Sequence, residues 1–340
     1  MSKVHRIHLS GKGVSIACGE GEPILLAALK AGYPLSYECG SGTCGTCYAE
    51  LNEGTVNDRW PEAPGLTPKR RANGRVLLCQ SEPRTDCLIT ERLLPHDDQR
   101  LPVPKTVSAR VFAVDPVCRN TARVVIVPDQ PIFFLPGQYA LIDLPGVHGL
   151  RAYSMANLPG DNGNQLEFYV KRAGNGAASA RLIEPGIVGS AIILHAPLGR
   201  AYLRAELSED VLLIAGGSGL APVLSVMRGV AKTEHFSRRR VDLFFGVRTR
   251  ADLFAVEAIE GIRRKAPSAL NVTYALSEQP DTQGSEFETG HLHEVIARRS
   301  HDYSAYRVYM AGPPPMIDSV LRLLNSRKVP FSRIHFDRFA

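Results

Sequence analysis

Between residues 39 and 47 the chain reads CGSGTCGTC, so that Cys39, Cys44 and Cys47 fall within nine residues with Gly40, Gly42 and Gly45 between them. Glycine at this density is disfavoured inside either a helix or a strand. The segment's thiols could serve a disulfide knot, a zinc site, a reactive thiol pair or a cradle for another group. The chain holds seven cysteines, an odd number, so at least one thiol stays unpaired in any disulfide scheme. Its N-terminus, MSKVHRIHLSGKG, has neither an apolar core segment nor a small-residue cleavage site, so no secretory signal is expected. No apolar run reaches the length of a membrane span. A cytoplasmic location follows as the expectation, and there thiols are kept reduced, which argues against a disulfide framework.

The spacing narrows the choice. Cys39-x4-Cys44-x2-Cys47, followed by Cys79 after a gap of 31 residues, is the plant-type ligand spacing for a [2Fe–2S] cluster. Thiolates are soft ligands that suit iron. Glycines between them let backbone N–H groups approach the sulfurs and offset their charge. A zinc site expects two short C-x2-C pairs, and a thioredoxin-like C-x-x-C expects a βαβ context; neither is present. Cys18, Cys87 and Cys118 fall outside the spacing and read as small buried hydrophobes. On these residues, 1–95 resembles a plant-type ferredoxin domain, which implies a β-grasp fold. The single tryptophan lies in WPEAPGL (60–66), where packing is its expected role.

At 340 residues, 44% hydrophobic and 22% charged, the chain is an ordinary globular one of two or three domains. Three stretches differ in pattern. Up to residue 95, short β-like segments (Val4 to Leu9, Val14 to Ala17, Cys47 to Leu51, Arg75 to Leu78) accompany one helical segment, Pro23 to Ala31. PHDDQRLPVPK, with three prolines and no periodicity, sets a linker at 96–105. From 106 to 206, runs such as ARVFAV, TARVVIV, YALIDL and LEFYVKR alternate between turns, the pattern of an antiparallel barrel or sandwich. From 207 to 340, VLLIAGG, VDLFFGV, NVTYAL and VYMAG alternate with helical segments near 222–231, 251–264 and 291–299, which implies a parallel sheet with crossovers.

The middle stretch carries Arg151-Ala152-Tyr153-Ser154, similar to the R-x-Y-S motif of the ferredoxin–NADP reductase family. Phe134-Leu135-Pro136-Gly137-Gln138-Tyr139 precedes it. Gly176-Ala177-Ala178-Ser179, resembling the family's G-x-x-S, and Pro197-Leu198-Gly199 follow it. The resemblance implies that Tyr153 packs on a flavin ring, that the Ser154 hydroxyl bonds the reactive flavin nitrogen N5, and that Arg151 pairs with phosphate. It also implies that the turn at Gly176 offers N–H groups to a pyrophosphate. Tyr169, Val170 and Lys171, just before that turn, are placed with the flavin on the same ground. The pyrophosphate segment favours FAD, with FMN as the alternative.

The last stretch carries Gly216-Gly217-Ser218-Gly219-Leu220-Ala221-Pro222 between a strand and a helix. It resembles the G-G-[ST]-G-x-[AT]-P motif of the same family, where the pyrophosphate of a nicotinamide nucleotide approaches the helix start. Gly246, Val247 and Arg248 end the second strand, where the adenosine ribose is expected. Ala311-Gly312-Pro313-Pro314-Pro315-Met316 is similar to the family's C-G-P-P-P-M, with alanine where the family often has cysteine near the nicotinamide. Arg248 and Arg250 are candidates for a 2′-phosphate, yet similar reductases with F-G-V-R mostly use NADH or tolerate both nucleotides, so NADH is expected and NADPH is the alternative. In the C-terminal HFDRFA, the resemblance places Phe339 over the flavin and Asp337 near N5 as a proton relay.

In this order the three parts resemble the reductase component of multicomponent bacterial aromatic oxygenases, closest in detail to carbazole-dioxygenase-type reductases. The fold class implied is a β-grasp ferredoxin, an antiparallel β-barrel for the flavin and a parallel-sheet nucleotide domain. The activity implied is electron transfer from NADH through FAD and [2Fe–2S] to a separate ferredoxin or terminal oxygenase. A reductase of a di-iron monooxygenase, or of a deoxysugar pathway, shares these motifs. A plain iron–sulfur carrier would need neither GGSGLAP nor RAYS. The charge of +6 is spread over short runs such as Arg238-Arg239-Arg240 and Arg263-Arg264-Lys265, which read as solvated surface. No nucleic-acid platform accompanies them. A monomer is expected. Residues 1–95 are nearly neutral, with 11 basic and 10 acidic residues.

Overall fold

A computed structural model describes residues 3–93, 101–174, 176–204, 208–233, 236–279 and 286–339. Residues 96–100, half of the linker expected at 96–105, the boundary at 206/207 and Asn175 lie outside the described residues. By packing contacts the chain divides into two units. One is Met1–Thr106 with Leu141–Ala152 and Leu194–Leu198; the other is Val107–Ala140, Tyr153–Ile193 and Gly199–Ala340.

The N-terminal elements are β1 (Val4–Leu9), β2 (Val14–Gly19), α1 (Ile24–Lys30), β3 (Tyr48–Glu53), β4 (Val56–Asp58), α2 (Pro68–Ala72), β5 (Arg75–Leu77), β6 (Ser81–Pro83) and β7 (Cys87–Thr90). In β1 every second residue is buried, with Ile7 and Leu9 fully so, as a strand with one face on a core requires. α1 buries every residue but Lys30. The strands form a sheet of order β2-β1-β7-β3-β5, in which β1 and β7 run parallel and the other pairs antiparallel. This is the β-grasp arrangement. β4 and β6 pair separately.

β8 (Lys105–Cys118), β9 (Thr121–Pro128), β10 (Tyr139–Asp143), β11 (Arg151–Ser154), β12 (Leu166–Lys171) and β13 (Ala191–Leu198) make a six-stranded sheet of order β11-β10-β13-β8-β9-β12. Met155, just past β11, bridges antiparallel to Phe168 of β12. The two edge strands thus meet, and the sheet closes towards a barrel. A short helix, α3 (Ala177–Leu182), follows β12.

The remaining elements are β14 (Val211–Gly216), α4 (Leu220–Ala231), β15 (Val241–Val247), α5 (Val256–Arg263), β16 (Leu270–Leu276), β17 (Phe287–Thr289), α6 (Leu292–Ala297), β18 (Arg307–Gly312), α7 (Pro314–Ser326) and β19 (Ile334–Arg338). They form a parallel sheet of order β17-β16-β15-β14-β18-β19. β14 is buried along its whole length because both faces are covered. Leu213 and Ala215 join a core with Val223, Leu224 and Met227 of α4. Leu212 and Ile214 face a second core with Val295 of α6 and Ile317, Val320 and Leu324 of α7.

Neither α7 nor β19 is marked by the sequence pattern. α7 starts inside the AGPPPM motif, where the prolines suggest only a turn. Proline is tolerated in the first helical turn, whose N–H groups have no helical partner in any case. Of the three outlying cysteines, Cys18 and Cys87 are buried, but Cys118 is half-buried at the edge of a core, a correction to the fully buried role expected for it.

Candidate cofactor sites

The four cysteines meet. The loop 39–47 folds round its own sulfurs: Ser41 N and Cys44 N each donate to Cys39 Sγ at 3.4 Å, and Thr46 N donates to Cys44 Sγ at 3.4 Å. Cys39 N lies 3.5 Å from Cys44 Sγ. Cys47 Sγ and Cys79 Sγ stand 3.3 Å apart and are buried. The sulfurs therefore form two pairs. Among the described residues no three His, Cys, Asp or Glu side chains converge on one ion. Two pairs fit a two-iron cluster, with two thiolates for each iron, better than a single zinc. The hydrogen bond from the Cys44 thiol has the largest effect on Cys39. Burial opposes it, Thr43 and two N–H groups add to it, and the Cys39 thiol is held down at about 4. Cys44 moves the other way, through the same hydrogen bond and then burial.

A brace behind this loop had no signal in the ligand spacing. Gly45 has φ +75°, and a Cβ there would strike the carbonyl oxygen of Gly65; a Cβ on Gly65 would come within 2.6 Å of Gly42 O and Gly45 N. Gly65 N donates to Gly42 O at 3.0 Å. The segment WPEAPGL touches the cluster loop at Gly65, against Gly42 and Gly45, and at Trp60, which flanks Gly42. Two glycines, one in each segment, were the only hint of this in the sequence. A shallow apolar crevice lined by Leu25, Leu26, Leu141, Leu150 and Leu198 reaches Gly40 and Cys79.

Of the residues expected at the flavin, Arg151 lies 5.9 Å from the Trp60 ring centroid and donates to Leu150 O. Ala152 is exposed, Tyr153 half-buried and Ser154 buried. Gln138 ties two of the quoted turns together, accepting from Leu135 N at 2.8 Å and donating to Gly199 O at 3.2 Å. Gly176 precedes α3 without a side-chain cap, leaving the N–H groups of Ala177 and Ala178 at its start. Ser179 turns back, donating to Gly176 O and accepting from Ala173 N, each at 3.0 Å. Tyr169 and Val170 are buried; the Tyr169 ring packs on Phe254 at 4.9 Å, and burial pushes its hydroxyl up to about 12. Lys171 is exposed, with its Nζ near Gly217.

The two nucleotide motifs also meet. A Cβ on Gly219 would overlap the Ala311 carbonyl, and one on Gly216 would overlap Met316, so the GGSG turn rests directly on Ala311, Gly312, Pro313 and Met316. Leu220, Ala221 and Pro222 are core residues of α4. Ser218 stays half-buried between them. Gly246 is required by Leu292 of α6, which fills the space a side chain would need. Val247 is buried. Arg248 faces Asp252 at 3.9 Å, and Arg250 lies 3.9 Å over Phe287. The β18–β19 register sets Asp337 opposite Ala311, and Phe339 N donates to Gly312 O at 2.9 Å. Both C-terminal candidates therefore flank the AGPPPM turn. Asp337 is buried, and Phe339 packs at the edge of a core.

Three family models match the chain in this order: a 2Fe-2S iron-sulfur cluster binding domain over residues 7–84, an oxidoreductase FAD-binding domain over 108–202 and an oxidoreductase NAD-binding domain over 213–322. The chain is 39% identical to the ferredoxin–NAD(+) reductase component of an alkene monooxygenase system from Xanthobacter autotrophicus, over 96% of this chain and 98% of that protein. It is 36% identical to a ferredoxin–NAD(P)(+) reductase of Metapseudomonas resinovorans, over 95% and 96%. The solved structure of the ferredoxin reductase in carbazole 1,9a-dioxygenase superposes with a TM-score of 0.89 at 34% identity, covering 100% of both chains. No helix among the described residues is long and apolar enough to cross a membrane. Sulfur pairs, nucleotide turns and full-length relatives agree: the chain belongs to the oxygenase-system reductases, oxidoreductases that carry a [2Fe–2S] cluster and FAD and use a nicotinamide nucleotide.

Proposed function

We propose that the chain oxidises NADH and passes the electrons through FAD and a [2Fe–2S] cluster to a separate ferredoxin or terminal oxygenase of an aromatic-ring-hydroxylating dioxygenase. The arrangement of the four cysteines as two sulfur pairs, on one chain with the paired nucleotide turns, carries this reading. Bound FAD takes two electrons together and gives them up singly, matching a two-electron donor to a one-electron cluster. The chain's residues hold and orient. Cys39, Cys44, Cys47 and Cys79 would ligate iron, with the N–H groups of Ser41, Cys44 and Thr46 offsetting negative charge on sulfur. Arg151 and the N–H groups after Gly176 would hold the flavin phosphates, Tyr153 would face the ring and Ser154 would bond N5. Gly216 to Gly219 and Ala311 to Met316 would seat the dinucleotide. Asp337, beside the second turn, would hold a proton.

NADH over NADPH is supported by the partners of Arg248 and Arg250, since a 2′-phosphate would have to compete with Asp252 and Phe287 for them. The dioxygenase assignment rests on the carbazole reductase likeness over the whole chain. The Xanthobacter relative favours a second reading, service to a monooxygenase. We take the chain to act as a cytoplasmic monomer. Anaerobic titration with NADH is expected to bleach both flavin and cluster absorption, with about three electrons taken up per chain. Flavin bleaching without any cluster signal would remove the cysteines from the pathway. A faster response to NADPH would reverse the nucleotide choice.

A further inference from the structure

Tyr48 directly follows the proposed iron ligand Cys47, with the two Cα atoms ~3.8 Å apart across the peptide. Three guanidinium groups surround its ring: Arg70 at 4.6 Å, Arg92 at 5.1 Å and Arg75 at 5.2 Å from the centroid. They come from different elements. Arg70 is on α2, Arg75 opens β5 and Arg92 follows β7. α2 adds Lys69 and Arg71 and buries none of its residues. Two carboxylates answer these five cations. Glu50 accepts from Arg75 at 2.8 Å, and Asp58 pairs with Arg71. Among the described residues no carboxylate pairs with Lys69, Arg70 or Arg92. In a nearly neutral domain, Arg70 and Arg92, two cations without a carboxylate, thus stand together on the residue that follows a proposed cluster ligand. Stacking on one ring holds the guanidiniums together against their mutual repulsion.

We propose that this patch, centred on Tyr48, is the docking surface for the protein that accepts electrons from the cluster, and that the accepting face is acidic. The inference rests on the reading above, in which the cluster is the last carrier in the chain. Complementary charge raises the rate of encounter and fixes orientation, and salt weakens it. At the patch the reduced cluster gives up one electron and the acceptor's metal centre gains it, with no bond or proton transferred.

The test uses the holoenzyme with NADH and two haem-protein probes: cytochrome b5, acidic around its haem edge, and cytochrome c, basic around its haem edge. In each, ferric haem becomes ferrous by one electron. The variant is Arg70→Glu with Arg92→Glu, chosen because neither arginine holds a carboxylate. At low ionic strength the variant should reduce cytochrome b5 about tenfold more slowly than wild type and cytochrome c faster. The differences should shrink as salt is added. Bleaching of the flavin by NADH, and the visible spectrum of the cluster, should stay as in wild type. Equal changes for both cytochromes, or none, would overturn the docking assignment. If wild type bleaches with NADH but reduces neither haem protein, the cluster is not the outgoing carrier, and the inference falls with that reading.

Discussion

Single residues at the cluster loop are set by sterics as well as by ligation. At Gly45 both the positive φ and the Gly65 carbonyl exclude a side chain. Gly45→Ala should therefore cost about 1–3 kcal/mol locally and lower the iron content of the purified protein. Gly186→Ala, in open space, should not change it. Equal iron in the two variants would remove the brace from the argument. His195 shows a different constraint. Its Nδ1 lies 3.0 Å from Thr106 Oγ1, and burial pulls its pKa down from 6.5 to about 4. The unfolded chain takes up a proton in this window that the folded chain refuses, so stability is lost as pH falls from about 6.5 to about 4, by at most about 3 kcal/mol. His195→Gln should flatten the fall in urea midpoint across that window; an unchanged slope would refute the assignment.

At the scale of elements, α4 is locked to β12 and to the segment just past β11 by one polar cluster. Arg228 donates to Ala156 O at 2.7 Å and to Glu167 Oε1 at 3.0 Å, and Ser225 donates to Asn157 O at 2.7 Å. Burial pushes the Glu167 carboxyl up, but Arg228 and Arg123 outweigh it and leave it below its ordinary value. Arg228→Ala leaves the Glu167 carboxylate with Arg123 alone and should destabilise the fold by about 2 kcal/mol, read as a lower urea midpoint, with Arg228→Lys recovering part. No loss would mean that water replaces the guanidinium. Sequence periodicity found α4 because VLSVMRGVA places an apolar face on β14. It missed α7, whose first turn is proline and whose helical pattern begins only after the motif that drew notice.

On the scale of the whole molecule, the meaningful quantity is the electron count. Three electrons per chain require flavin and cluster on the same polypeptide, and the NADH titration reads both at once. Net charge is a poor guide at this scale. The +6 is spread across the chain, while the feature proposed to meet a partner is local, three arginines about Tyr48 of which one holds a carboxylate. The sequence reading took the basic runs as solvated surface. That reading had no means of seeing this patch, because its arginines lie at 70, 75 and 92 and only the β-grasp sheet brings them to one ring.

What the sequence determined alone was whatever depends on spacing along the chain. The gaps between Cys39, Cys44 and Cys47 fix which thiols share a loop, and the order of glycine turns after apolar strands fixes where phosphates can approach. Period-two and continuous apolar runs fix which strands have one covered face and which have two. Tertiary structure decided everything that needs approach between distant segments: Gly65 beneath Gly45, Gly219 on Ala311, Asp337 opposite that same alanine, and three arginines round Tyr48. These contacts have no period and no fixed separation in sequence. They arise because sheet register and close packing bring particular backbones within a side chain's width of each other.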